Sequence, residues 1–238
     1  MNLKIADFNI EYTRSNSLLE KLLGDYISDN GKVDFSISAT DSELEAQRIY
    51  EGGQISLRMA ENNVLHQKIA DQLPSRNAFV LHSACFDVEG EGVVFSAHSG
   101  TGKTTHMRLW QEYLGDKMVV VNGDKPMVRF FDSEPVTPYA YGTPWNGKER
   151  YGCNMRTPLK HICFIERSET NFVEVLDKGA AIDRIFNQVY MPKDPIALAC
   201  TINLIDRLLS SCKLWIIHCN MDISAAGVAY KAIIAENK

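Results

Sequence analysis

The length, composition and charge of the chain exclude several classes of protein. At 238 residues, with 45% hydrophobic and 23% charged residues, it has enough apolar sequence for one large globular domain, or for one domain with a smaller appendage. Its formal net charge of −5 gives no attraction to nucleic acid or to a membrane, so neither is an expected partner. No apolar run approaches a membrane-spanning length, and the six cysteines form no CxxC pair, so we expect reduced thiols in a cytoplasmic protein.

Residues 1–75 are predicted to form a small α/β N-terminal region. The stretch "LKIADFNIEYT" alternates like a strand, "SNSLLEKLLGDYISD" has helical spacing, and "VDFSISA" alternates again. Thr40 stands three residues before Glu43, which is the capping-box signature of a helix start. A third helix is predicted over residues 55–73, and Pro74 ends it.

Residues 76–238 are predicted to form the second and larger domain. The stretches "AFVLHSACFDV" and "GVVFSA" predict two strands joined by the turn "EGEG", and "KMVVV" predicts a buried strand that ends at Asn122, Gly123 and Asp124. Between them, "AHSGTGKT" crosses a glycine loop into an amphipathic helix. Such a loop binds nucleotide phosphates, because its N–H groups point inward and the helix N-terminus favours negative charge. Residues 76–238 are therefore predicted to form a P-loop nucleotide-binding catalytic domain.

The glycine loop supplies the candidate ATP-binding residues, which are Ser99, Gly100, Thr101, Gly102, Lys103, Thr104 and Thr105. Lys103 can reach the β- and γ-phosphates, and the Thr104 hydroxyl can take a place on Mg²⁺. The eight-residue P-loop pattern begins with glycine where this chain has Ala97, a change that is tolerated if the position does not need positive φ. A chance Gly-Lys-Thr tripeptide is the alternative, and the flanking strand and helix argue against it.

Three features resemble the catalytic domain of HPr kinase/phosphorylases and related small serine and peptide kinases, and "SGTGKTT" looks like the P-loop of phosphoenolpyruvate carboxykinases. His82 lies one hairpin before the loop, "VVVNGDKPMV" resembles a strand that ends in an acidic pair, and "TPLKHICFIER" resembles a later core strand. The resemblance covers about residues 77–176. It implies an α/β fold, with a mixed β-sheet P-loop kinase domain of the HPr kinase/phosphoenolpyruvate carboxykinase type.

The chain also departs from these families. Gly123-Asp124 stands where the kinase family has two adjacent acids, so one carboxylate must serve or another must come from elsewhere. The loop associated with phosphorolysis does not align, which leaves the reverse reaction without support. The chain is too short for the second substrate domain of phosphoenolpyruvate carboxykinase, so we do not expect decarboxylation.

Asp124, His82 and Lys103 are the candidate catalytic residues. Asp124 can hold Mg²⁺ together with Thr104, or accept the proton of the acceptor hydroxyl, and the resemblance implies the second role with the metal shared. The alternative is that Asp124 only makes a turn, because Asn-Gly-Asp is turn chemistry. His82 is either a core histidine or a partner that tunes Asp124.

The stretch "YAYGTPWNGKERYGCN" supplies the candidate substrate-binding residues Trp145, Lys148 and Arg150. Its glycines allow a mobile lid whose cations close on the γ-phosphate or on an acidic acceptor, with Trp145 as a wall of the site. The alternative is a solvated turn with incidental charges.

The helix after the loop is predicted to bury Met107, Trp110 and Leu114 and to leave His106 and Arg108 at the surface. Past Phe172, the pattern predicts helix, helix, strand and helix. Asn220, after that strand, either approaches the site or makes a helix-entry turn.

Together these features predict an ATP- and Mg²⁺-dependent kinase that transfers the γ-phosphoryl group to a hydroxyl. A serine of a protein or peptide is the expected acceptor, and a small hydroxyl compound is the close variant. A nucleotide-gated binding module without phosphotransfer is the alternative. The sequence does not address the oligomeric state.

Overall fold

The computed structural model describes residues 1–28, 31–97, 100–132 and 136–237, and has a three-stranded and a nine-stranded sheet with helices. The strands are β1 (Asn2–Ile5), β2 (Phe8–Thr13), β3 (Phe35–Ser38), β4 (Ala78–Val80), β5 (Ala84–Val88), β6 (Glu91–Ser96), β7 (Met118–Asn122), β8 (Met127–Arg129), β9 (Tyr139–Tyr141), β10 (Arg156–Arg167), β11 (Phe172–Val175) and β12 (Lys213–Cys219). The helices are α1 (Glu20–Leu23), α2 (Asp41–Tyr50), α3 (Leu57–Gln72), α4 (Lys103–Leu114), α5 (Lys178–Phe186), α6 (Pro195–Ser211) and α7 (Ser224–Ile233). The predicted α/β class with mixed sheets is confirmed.

The small sheet begins with a hairpin where the sequence predicts a single strand. β1 and β2 pair antiparallel, and Ala6 and Asp7 between them take φ angles of 52° and 58°. Two positive φ angles are typical of the tight turns that match the twist of a hairpin. The single-strand prediction was therefore wrong, since alternation continues across the turn. β3 adds to β2 in parallel.

The helices of the first region agree with the predictions from the sequence to different degrees. The capping box is confirmed, because the Thr40 side chain accepts from the Glu43 N–H and the Glu43 side chain accepts from the Thr40 N–H. α3 lies inside the predicted range, and Pro74 begins a short 3-10 turn after it. The helix predicted after β2 shrinks to α1 and one 3-10 turn, Gly24–Tyr26.

The large sheet is organised around β10. Its first residues pair antiparallel with β9, and its later residues lie between β6 and β12, both parallel to it. β5 is antiparallel to β6 and to β7, so β7 runs in the same direction as β6. The carboxyl ends of β6, β7, β10 and β12 therefore face one edge of the sheet, where ligands bind in α/β proteins.

The strand predicted over residues 78–88 is two strands with different partners. β4 pairs with β8, whereas β5 pairs with β6 and β7. The intervening backbone crosses between them: the His82 N–H donates to Gln188 O at 2.7 Å, and the Ser83 N–H donates to Asp124 O at 2.9 Å. This break leaves His82 beside Asp124. The strand β11 was likewise missed, because the pattern predicted past Phe172 is helix, helix, strand and helix, with no strand before the first helix.

The helix α4 buries one side against the sheet, as predicted for Met107 and Trp110, which are fully buried. Leu114 packs at the margin of the same core, and Arg108 is exposed as predicted. The surface prediction for His106 was wrong: it is 2% exposed, with its ring 5.0 Å from that of Phe95. His106 adjoins Met107 on the helix, so a slightly wider apolar face covers both.

The first 75 residues share a core with later parts of the chain. Met127, Tyr141 and Trp145 pack in the same hydrophobic cluster as the small sheet and α3. Asp7 accepts from the Tyr141 hydroxyl at 2.7 Å. The boundary near residue 75 stays a prediction.

Candidate active site

The glycine loop connects β6 to α4 at the carboxyl edge of the large sheet. Gly100 and Gly102 take φ angles of 79° and 126°, a region that glycine adopts without strain. No described side chain caps the start of α4, so the first-turn N–H groups are available to an anion. Ser99, predicted as part of the cradle, lies outside the described residues.

The Lys103 side chain folds back on the loop that precedes it. It is 9% exposed, and its Nζ donates to Ala97 O at 2.6 Å. Burial lowers the pKa of Lys103, and the nearby charge of Asp124 opposes that effect. A phosphate oxygen entering the loop would therefore exchange a neutral acceptor for a charged one, which binds a lysine more strongly.

A turn at the end of β7 sets the position of Asp124. The Asn122 Oδ1 accepts from the N–H groups of Asp124 and Lys125, at 2.9 and 2.7 Å. The Asn122 amide donates in turn to the carbonyl and hydroxyl oxygens of Thr143. The Asn-Gly-Asp sequence does make a turn, and this turn also places the Asp124 carboxylate on the cleft, so the two interpretations are compatible.

The Asp124 carboxylate lies between two nitrogen groups. Its Oδ1 is 3.3 Å from His82 Nε2, and its Oδ2 is 2.8 Å from Lys125 Nζ. Burial by itself raises the pKa of Asp124, but the hydrogen bonds and charges of His82 and Lys125 outweigh it and hold this pKa well below its usual range. Asp124 is therefore ionised at physiological pH. The structure brings His82 to the acid, and the role of His82 as a tuning partner stays a prediction.

One cleft of about 870 Å³ gathers most of the predicted site residues. Those that line it are His82, Gly100, Gly102, Lys103, Thr104, Thr105, Asp124, Trp145, Lys148 and Arg150. Thr101 lines a second cavity of about 590 Å³, which shares Gly100, Gly102 and Thr105 with the first. The loop therefore lies between two cavities.

The segment from Gly142 to Gly152 combines a buried anchor with exposed cations. Trp145 is 6% exposed, its Nε1 donates to Asn62 Oδ1 at 3.0 Å, and its ring is 4.8 Å from that of His66. Lys148 and Arg150 are exposed, and within the described part of the chain neither side chain has a hydrogen-bond or ion-pair partner. The mobility predicted for this segment stays a prediction.

The neighbourhood of Asp124 explains one glycine of this segment. Gly147 has a φ of 86°, and a Cβ there would lie 3.3 Å from the Asp124 Cβ. The segment thus passes directly over the acid. The carboxylate of Glu149, a residue of the same segment, faces Arg108 of α4 at 3.7 Å.

Three residues that contribute to the site were missed by the sequence analysis. Lys125 follows Asp124 directly, and its adjacency in "NGDKP" was the available signal. Arg167, at the end of β10, donates to Gly100 O at 2.7 Å and holds the loop from the other side. Arg58 of α3 lines the cleft. Nothing local in the sequence indicates these last two contacts.

The residues present fit the Mg²⁺ that the resemblance implies. No group of three metal-ligating side chains occurs in residues 1–28, 31–97, 100–132 and 136–237. Magnesium at nucleotide sites takes one or two carboxylates together with phosphate oxygens and water, so it does not need such a group. Thr104 and Asp124, the two predicted ligands, line the same cleft.

Among known proteins, the chain has only distant structural likenesses. No family model matches the chain, and no curated protein matches it. Among solved structures, the HPr(Ser) kinase/phosphatase from Coxiella burnetii is similar, at 10% sequence identity and a TM-score of 0.29, covering 54% of this chain and 90% of that chain. A structural similarity this weak supports no functional argument, so the function has to be inferred from the geometry of the site itself. Among the described helices, none has the length and apolar character to cross a membrane.

Proposed function

We propose that the chain is an ATP-dependent kinase that transfers a γ-phosphoryl group to a hydroxyl, with a serine of a protein or peptide as the acceptor. The observation that carries the proposal is that a glycine loop with Lys103 and the Asp124–His82 pair line one cleft. A phosphate cradle alone suits many nucleotide-binding proteins. An ionised acid beside it adds the group that orients an attacking hydroxyl.

The two cavities on either side of the loop support a direction for bound ATP. The second cavity has an apolar lining from Leu109, Ile165 and Met221, with Asn220 beside them. Such a lining suits an adenine ring, with a few polar groups fixing its orientation. The triphosphate would follow the loop from there, so that the γ-phosphate reaches the cleft that contains Asp124.

The roles of the side chains follow from their contacts. Lys103 would leave the Ala97 carbonyl and bind the β- and γ-phosphates. Mg²⁺, held through Thr104 and Asp124, would neutralise phosphate charge. Asp124 would accept a hydrogen bond from the acceptor hydroxyl, while His82 and Lys125 hold its carboxylate in place.

The reaction is an in-line displacement. The acceptor oxygen forms a bond to the γ-phosphorus as the bond from phosphorus to the β–γ bridging oxygen breaks, and ADP leaves. The hydroxyl proton passes to an Asp124 carboxylate oxygen, since Asp124 is ionised before the reaction begins.

A transfer assay tests the proposal. The protein is incubated with Mg-ATP and a panel of serine peptides, proteins and small hydroxyl compounds, and the γ-phosphate is followed. Acceptor-dependent ADP release together with a phosphorylated product supports the kinase. Tight ATP binding without turnover on any acceptor would instead support the nucleotide-gated binding module.

A further inference from the structure

Part of the cleft comes from the N-terminal region and has no role in the phosphoryl transfer described above. We call this part the N-terminal lining, and the residues that matter in it are Leu22, Arg58, Met59, Asn62 and Asn63. It combines one cation, two amides and two apolar side chains. The question is what these groups bind.

Arg58 lies at a position where its charge does not stabilise the helix that contains it. It is the second residue of α3, whose first turn contains no acidic residue. A cation near a helix N-terminus is unfavourable, because the helix dipole is positive there. Arg58 is exposed, and among the described residues its side chain has no hydrogen-bond or ion-pair partner. An unpaired guanidinium kept at an unfavourable position beside a cleft indicates an anionic ligand.

The two amides of the lining are held by other parts of the protein. The Asn62 Oδ1 accepts from Trp145 Nε1 at 3.0 Å, so its amide nitrogen has both hydrogens left to donate. The Asn63 amide nitrogen donates to Glu51 at 3.4 Å, which leaves its oxygen as an acceptor. A donor and an acceptor side by side match the carbonyl and N–H groups of a peptide backbone.

Space and hydrophobic contact favour a peptide over a small anion. Met59 is 49% exposed, and the partly buried Leu22 lines the same cleft, so both side chains can provide apolar contact to a ligand. The cleft of about 870 Å³ lies near the upper end of ordinary ligand pockets, which are roughly 300–1,000 Å³. A triphosphate in the glycine loop would therefore leave part of the cleft for a second ligand.

We propose that the N-terminal lining binds the phosphoacceptor as an acidic peptide, with Arg58 on a carboxylate close to the accepting serine. Asn62 and Asn63 bind the peptide backbone, and Met59 contacts a flanking side chain. Arginine suits this role because its planar guanidinium binds a carboxylate through two parallel hydrogen bonds. The proposal rests on the kinase function, and it assigns the N-terminal region to acceptor choice.

Two matched sets of serine peptides test the inference on the full chain. One set has Asp, and the other has Asn, at one of the three positions on either side of the serine. Peptide affinity is measured by calorimetry on the protein loaded with Mg-ADP, and transfer is measured separately with Mg-ATP. At least one Asp peptide should bind the unaltered protein about 10-fold more tightly than its Asn counterpart.

The variants decide whether Arg58 is responsible. Arg58→Gln should abolish the preference for Asp, and Arg58→Glu should reverse it, so that the Asn peptide binds more tightly than its Asp counterpart. Lys21→Gln, which removes an exposed cation of the same region outside the cleft lining, should keep it. Equal affinity for both sets, or an unchanged preference in Arg58→Gln, overturns the inference. So does Arg58→Gln weakening Mg-ADP as much as peptide, since Arg58 would then bind the nucleotide. If acidic peptides bind but are not phosphorylated, the inference about peptide binding is supported and the proposed kinase function is contradicted.

Discussion

Two sets of charged side chains line the same cleft, and they differ in whether they contact other groups of the protein. Lys103 and Asp124 are both engaged by the protein itself, through Ala97, His82 and Lys125. The cationic rim, which we define as Arg58, Lys148 and Arg150, is exposed and has no partner within the described part of the chain.

The difference follows from the physical needs of chemistry and recognition. The Asp124 carboxylate is proposed to receive the hydroxyl proton during transfer, and it is held in position beforehand, because reorganisation during the reaction costs rate. Groups that capture a charged ligand gain most when no internal partner competes for them. On the proposed function, the engaged pair performs the transfer and the rim selects and closes on the ligands.

The strongest test removes the engaged cation. Lys103→Ala should weaken Mg-ATP binding and lower transfer by at least about 10³-fold, because no other described cation lies within the glycine loop. Nucleotide titration and a transfer assay measure the two effects. Lys117→Ala, at an exposed lysine, is the control. Transfer at the unaltered rate in Lys103→Ala would show that the loop is not the cradle.

The acid is tested by an isosteric change. Asp124→Asn should abolish transfer, a loss of about 10³-fold, while largely sparing ATP binding, because the amide cannot accept the hydroxyl proton. Single-turnover transfer and nucleotide affinity are the measurements, and exposed Asp116→Asn is the control. If Asp124→Asn still transfers the phosphoryl group at the unaltered rate, the kinase assignment is wrong.

The rim is expected to contribute less than the engaged pair. Lys148→Ala and Arg150→Ala should each lower kcat about 10²-fold and weaken ATP binding less, because the rim closes on charge that develops during transfer. Lys193→Ala, at an exposed lysine elsewhere, is the control. If kcat is unchanged in both variants, the segment is a structural turn and the contrast between the two charge sets loses its functional meaning.

The smallest effect concerns the helix behind the loop. Both ring nitrogens of His106 are buried without a partner among the described residues, and burial lowers its pKa from 6.5 to about 4. Below pH 6.5 the unfolded chain binds a proton that the folded chain takes up only near pH 4, so stability falls as pH falls through this window. Between pH 7.5 and 5 this costs about 2 kcal/mol.

Replacement of His106 tests that cost. Between pH 7.5 and pH 5, the free energy of unfolding of His106→Leu should fall by about 2 kcal/mol less than that of the unaltered protein, as measured by urea unfolding. The remaining dependence includes His66, whose pKa burial also lowers to about 4. Gln111→Leu, on the exposed face of α4, should keep the original dependence of the free energy of unfolding on pH. An identical slope in His106→Leu would show that His106 is not buried in its neutral form.

Local signals predicted several elements well, and their failures have a common cause. The capping box at Thr40 and the span of α3 depend on contacts within a few residues. The break after β4 was missed because Leu81 continues the apolar run while the pairing partner changes. The burial of His106 was missed because its neighbours on the sheet, Phe95 among them, decide how wide the buried face of α4 is.

The order of strand, glycine loop, helix and strand-end acid can be predicted from the amino-acid sequence alone, because it depends on local backbone preferences and on the spacing of apolar residues. The side chains that meet at this site can be identified only from the packing of the whole fold. The approach of His82 to Asp124 requires that β4 and β5 pair with different strands, and the contact of Trp145 with Asn62 joins residues 83 positions apart. Arg58 reaches the cleft only because α3 packs there. Such contacts depend on how whole elements pack, and the residues next to each one in the chain contain no information about its distant partner.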